Sequence, residues 1–149
     1  MNLQWNGQER INAPKDKVWA FINDPAKIAS CLPDVKETTV SDDHSFEATV
    51  GVAVGPVRGS FKFKITLVPG AGENHLDMKI SGGGLGSVVD LVAGADLASD
   101  GEVTVLTWNG TASLRGPIAT IGGRVVDAQA RSVIATTFEN VRNRLSGSA

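Results

Sequence analysis

From Phe46 to Leu114 apolar side chains recur at nearly every second position, and from Val126 to Leu145 they recur at every third or fourth. The first period belongs to strands with one buried face, the second to an amphipathic helix. A chain written this way folds as consecutive antiparallel strands followed by one long helix, because each apolar surface finds its cover in the other.

Phe46, Ala48, Val50, Val52 and Val54 share one strand face, with Ser45, Glu47, Thr49, Gly51 and Ala53 on the other. Gly55-Pro56 turns the chain, and Val57, Gly59, Phe61, Phe63, Ile65 and Leu67 resume the apolar face. After the turn Pro69-Gly70-Ala71-Gly72, Leu76, Met78 and Ile80 alternate with His75, Asp77 and Lys79. Beyond the glycines at 82–86 another strand runs to about Ala98, and Ser99-Asp100-Gly101 signals a hairpin. The last strand sets Leu106, Trp108, Ala112 and Leu114 against Val105, Thr107, Asn109 and Thr111. At the start, Leu3, Trp5 and Gly7 alternate with polar residues in a half-buried strand that ends near Arg10 and Ile11, giving six or seven strands in all.

Two short helices follow that first strand. Ala13-Pro14-Lys15-Asp16 opens one, with Pro14 suited to the first helical position and Val18, Trp19, Phe21 and Ile22 as its apolar face. The other runs from Ala26 to about Cys31, before Leu32-Pro33. Past Arg115-Gly116-Pro117 a long helix continues to about Leu145, with Val126, Ala130, Ile134, Thr137, Val141 and Leu145 as one stripe.

The 149 residues, 42% of them hydrophobic, suffice for one domain spanning 1–149 with a core that needs no disulfide or metal. A formal net charge of -2 offers none of the basic excess that a nucleic-acid backbone demands, so nucleic acid is excluded as a partner. Cys31 stands alone, which fits a reducing compartment. The start MNLQWNGQERI has neither a basic nor an apolar leader region, and no window approaches the ~20 apolar residues of a membrane span. The expected location is the cytoplasm, with at most peripheral association at the inner face of the cell membrane.

Four segments resemble the carbon monoxide dehydrogenase CoxG family of START-like, SRPBCC helix-grip proteins. They are Ala13-Pro14 with Val18-Trp19, Asn23-Asp24-Pro25 with Cys31-Leu32-Pro33, the run from Val54 to Lys62, and Leu114 to Asp127. The resemblance implies an α+β helix-grip fold, in which a curved antiparallel sheet wraps around the C-terminal helix. It also implies an accessory protein without a reaction of its own. Such a protein assists membrane recruitment or electron transfer of a molybdenum hydroxylase such as carbon monoxide dehydrogenase.

Several residues invite a chemical reading. Gly82-Gly83-Gly84-Leu85-Gly86 is followed by strand rather than by a helix N-terminus, so it reads as a bulged connection and not a phosphate cradle. Cys31 has no basic neighbour to activate it and reads as a small buried hydrophobe. His44 and His75 are far apart and make no metal case. Asp90 and Asp96 share a strand face and are the one pair available for acid/base work, although a solvent-facing position suits them better. Arg124, Arg131 and Arg142 fall on one side of the last helix, with Asp127 and Glu139 interleaved as pairing partners.

The apolar inner face carries the functional expectation. Val52, Val54, Phe61, Phe63, Met78, Ile80, Leu106, Trp108 and Leu114 face the long helix, while Gly59, Gly110 and Ala112 leave volume among them. Ile118 and Ile121 precede Gly122-Gly123 and are placed at the cavity mouth. The expected ligand is hydrophobic and small, quinone- or lipid-like, with no covalent cofactor. Two other classes stay open, a small cyclase- or hydratase-type enzyme and an interaction subunit with a filled core.

Overall fold

The structure is a computed structural model describing residues 1–70 and 72–146. Ala71, in the predicted turn at 69–72, and the last three residues lie outside the described part. The strands are β1 (Asn2–Ile11), β2 (Val35–Asp42), β3 (Ser45–Val54), β4 (Val57–Pro69), β5 (His75–Gly84), β6 (Ser87–Asp100) and β7 (Val103–Arg115). The helices are α1 (Lys15–Ile22), α2 (Pro25–Ala29), α3 (Pro117–Thr120) and α4 (Gly123–Ser146).

The strands form one antiparallel sheet in the order β1-β7-β6-β5-β4-β3-β2. Every step from β2 to β7 is a hairpin, and only β1 joins out of sequence, beside β7. The strand phases expected from the alternation hold. Phe46, Phe61, Leu67 and Leu106 are almost wholly buried, whereas outward residues such as Lys62, Lys64 and Thr107 are more accessible. Each fully buried side chain of this size contributes about 1.5–3 kcal/mol.

Four boundaries differ from the expectation. β2 had no expected phase of its own, because Val35-Lys-Glu-Thr-Thr-Val-Ser-Asp is exposed over nearly its whole length at the sheet edge and lacks an apolar face. Pro14 is the cap before α1, whose first residue is Lys15. α2 ends at Ala29 rather than near Cys31. It begins at Pro25 because the Asp24 carboxylate accepts the Ala26 and Lys27 amides at 3.0 and 3.3 Å. The expected single C-terminal helix is two, since Gly122 takes φ +112° between α3 and α4 and interrupts the helical path.

The glycine cluster is structural. A Cβ on Gly82 would lie 2.0 Å from the Lys62 carbonyl oxygen of β4, so no side chain fits where these strands approach.

The core forms two clusters. One gathers Ile11, Val18, Phe21, Cys31, Phe46, Ile65, Leu67, Leu106 and Val141, where α1, α2 and the end of α4 close over the sheet. The other gathers Trp5, Val57, Phe61, Ala112, Leu114, Ile118 and Val126 beneath α3 and the start of α4. Phe63 and Trp108, both half-buried, pack against the two clusters and lie between them.

Candidate functional site

The inner face of the sheet changes character between the two clusters. Its register there runs Met78, Ala93, Gly110 and Trp5 across β5, β6, β7 and β1, with large side chains at the ends and small residues in the middle. A Cβ on Gly110 would find only ordinary contacts, 3.8 Å to the Ala93 Cβ, so that floor has room. Val52, Phe63, Met78, Ile80, Leu91 and Trp108 point toward α4 yet keep accessible surface, as do Ala130, Ile134 and Phe138 on the helix. The close backbone approaches of α4 to the sheet are concentrated on β1 and β3, near opposite edges. Apolar surface over the middle strands therefore stays partly accessible beneath the helix, which we read as an apolar gap between helix and sheet.

The expected lining residues divide by burial. Val52, Phe63, Met78, Ile80, Trp108 and Ile121 are half-buried along this gap and its rim. Val54, Phe61, Leu106, Leu114 and Ile118 are between 1% and 6% exposed and face packed atoms. Ile118 lies inside the second cluster, whereas Ile121 covers Gly55 at the tip of the β3–β4 turn. Gly59 leaves no volume, because the Leu85 side chain occupies the space where its Cβ would stand.

Two indole–carboxylate bonds lie along the β1 side, and the carboxylates of both, Asp127 on α4 and Glu9 on β1, take part in fastening α4. Trp5 Nε1 donates to Asp127 at 2.7 Å, and Arg131 donates to the same carboxylate at 2.9 Å. Arg131 foremost, then Trp5, holds the Asp127 carboxyl below the usual carboxylate range. One strand over, Trp108 Nε1 donates to Glu9 at 3.3 Å, Arg142 donates to Glu9 at 2.7 Å, and the Trp108 and Phe138 rings stand 5.7 Å apart. Asn140 adds a bond to the Cys31 carbonyl at 2.9 Å. On the β3 side an open cleft of about 470 Å³ lies between Ala53, Val54 and Gly55 and the first turns of α4, at Arg124, Val125, Ala128 and Gln129.

Glu9 and Phe138 escaped the sequence reading, and Asp127 was read only as a pairing partner of the helix arginines, not as the acceptor of the Trp5 indole. Glu9 shares the strand phase of Trp5, Gly7 and Ile11, and a carboxylate on an apolar face was the available signal. Of the helix arginines, Arg131 pairs with Asp127 one turn away, as the interleaved charges led one to expect, whereas Arg142 reaches Glu9 on β1 rather than Glu139. Asp90 and Asp96 both lie on the outer face, where Asp90 is 3.7 Å from Arg115 and Asp96 accepts from His75. His75 is bound at both ring nitrogens, to Asp96 at 2.7 Å and to Asp77 at 2.9 Å. These two bonds, Asp96 first, push its pKa up. Burial pushes the Cys31 thiol up. No group of three potential metal ligands occurs among the described residues.

A curved antiparallel sheet, two short helices after its first strand and a long C-terminal helix across its inner face define a START-like, helix-grip protein. Solved structures share this fold over nearly their whole length. A conserved protein from Geobacillus kaustophilus superposes with a TM-score of 0.88 at 22% identity, covering 98% of this chain and 97% of its own. A START superfamily protein from Mycobacterium smegmatis gives 0.76 at 11%, covering 98% and 99%, and Ara h 8.0201 gives 0.70 at 10%, covering 99% and 100%. No curated protein matches the sequence. The family model of CoxG, the G subunit of carbon monoxide dehydrogenase, matches residues 7–146, and the chain belongs to that family.

Proposed function

We propose that this protein is a non-catalytic carrier that holds an elongated apolar molecule, quinone- or lipid-like, in the gap beneath α4. In this reading it serves a molybdenum hydroxylase such as carbon monoxide dehydrogenase, assisting that enzyme's membrane recruitment or electron transfer. Membership of the family supports the partner, and the accessible apolar face supports the ligand.

One observation supports the ligand above the rest. Phe63 and Trp108 touch both core clusters and remain half-buried, although a 24-residue helix lies across the face they belong to. Apolar surface left accessible inside a domain costs about 25 cal/mol per Å², and an apolar guest recovers that. The inner-face carboxylates Glu9 and Asp127 are engaged in fastening the helix, which favours binding over acid/base chemistry.

Uptake of a fluorescent fatty acid or quinone analogue from solution tests the reading. Wild type binds, and Phe63→Asp, which places an unpaired carboxylate in the gap, abolishes binding while circular dichroism stays native. Failure of the folded wild type to take up any of a broad panel of quinones, fatty acids and isoprenoids leaves the filled-core interaction subunit as the better account.

A further inference from the structure

We infer that the open cleft between the end of β3 and the first turns of α4 receives the polar head of the guest, and that this head presents an oxygen acceptor, best as a carboxylate. The inference rests on the carrier reading for the tail beneath α4, but separate observations assign the head. The cleft, about 470 Å³, lies against Ala53, Val54 and Gly55 on one side and Arg124, Ala128 and Gln129 on the other. It adjoins the gap, because Val52 and Ala130, the chain neighbours of Ala53 and Gln129, both belong to the half-buried apolar set beneath the helix.

The cleft exists because β2 stops short of it. β2 begins at Val35, opposite Val50, and Asp34 before it takes φ +58°, a left-handed conformation that aspartate tolerates better than most residues. The last residues of β3 therefore form a sheet edge with no strand outside them. The Gly51 N–H donates to the Asp34 carbonyl at 2.9 Å, so the backbone groups of Gly51 point away from β4. Two residues on, those of Ala53 point the same way, since the direction alternates along an antiparallel strand, and there they meet the cleft rather than a neighbouring strand.

A guest lying under α4 finds the inner-face donors engaged. Trp5 Nε1 is bound to Asp127, Trp108 Nε1 to Glu9, and the hydroxyls of Thr104 and Thr137 to the Ala13 and Val133 carbonyls. An oxygen buried there would lack its hydrogen bond, which is strongly unfavourable. The cleft supplies what the gap lacks. Among the described residues no hydrogen bond or ion pair engages the side chain of Arg124 or of Gln129, and the Ala53 N–H faces the same space. The cleft lining includes one cation and no carboxylate, so a negative head is attracted and an ammonium repelled. A guanidinium matches both oxygens of a carboxylate, whereas the Gln129 amide donates equally well to a carboxylate or to a quinone carbonyl. Val125, 46% exposed on the cleft wall, gives the first methylenes of the tail an apolar surface to cover.

Displacement of cis-parinaric acid, a fluorescent fatty acid, from the full chain tests this. Hexadecanoic acid is expected to compete best, a quinone with a tail of similar length next, and hexadecylamine poorly. Arg124→Ala weakens binding of the acid about fivefold, in keeping with an exposed guanidinium, and leaves the quinone nearly unchanged. Gln129→Ala weakens both about fivefold. Both variants keep the wild-type circular dichroism, because alanine suits a helix. Lys62→Ala, which removes an exposed cation from β4 outside the cleft, leaves the acid and the quinone unchanged. An amine that competes as well as the acid, or α4 variants that bind the acid undiminished, overturns the head subsite while the carrier reading stands. Wild type that takes up neither the fluorescent acid nor the quinone overturns both.

Discussion

The indole of Trp108 lies over Gly7 of the neighbouring strand, where a Cβ would come within 2.8 Å of the ring. This contact sets the Trp108 ring where its N–H meets Glu9 and its face meets Phe138, so a residue without a side chain determines how the gap's largest aromatic is held. Gly7→Ala is expected to destabilise the protein by about 1–3 kcal/mol through overpacking. That outweighs the roughly 0.5–1 kcal/mol that alanine ordinarily gains over glycine in a strand. Urea unfolding and tryptophan emission check it, and an unchanged midpoint with unchanged emission contradicts the placement of the ring.

Trp108→Ala removes the ring altogether. Because the side chain is half-buried, the expected loss is about 2–3 kcal/mol, below the range for a fully enclosed aromatic. Ligand capacity changes as well. Calorimetric melting with and without the fluorescent analogue reads both effects.

The outer face supplies a pH dependence. Both His75 nitrogens donate to carboxylates only when the ring is protonated, and its folded pKa is raised above 6.5. A raised pKa means that the bridge's contribution is fully present below the unfolded value and is lost as pH rises through the folded one. The melting temperature is therefore expected to decline slightly across that interval, and His75→Gln should flatten the decline. A histidine NMR titration of the folded protein with its midpoint below 6.5 contradicts the bridge.

Cys31 is fully buried, and burial raises its pKa. It should react with a thiol reagent only on unfolding. Cys31→Ser should cost about 1–3 kcal/mol for an extra buried hydroxyl and leave ligand uptake intact. Fast labelling of the native protein, or loss of uptake in a folded variant, marks the thiol as functional.

What the sequence disclosed follows from the range of each signal. The twofold alternation is local, so the inward phase of β3, β4 and β7 was readable residue by residue. β2 carries polar residues on both faces because it lies at an edge with little to cover, and it offered no phase to read. The break at Gly122 needed a positive φ that a glycine pair permits without requiring. Glu9, Trp108 and Arg142 come together only when β1 pairs with β7 beneath α4, and nothing in their spacing foretells it. The gap was legible as an apolar face with small residues. Which of those residues stay open depends on how far the helix stands off, and that is a tertiary property.

The central claim is that the space beneath α4 holds an apolar guest. Native mass spectrometry of protein purified from its own host, followed by lipid extraction, tests it directly. A bound quinone- or lipid-sized mass, absent from Gly110→Leu protein whose added side chain fills the floor beside Ala93, is the expected result. Wild-type protein that arrives at its bare mass, with an extract containing no apolar molecule, contradicts it.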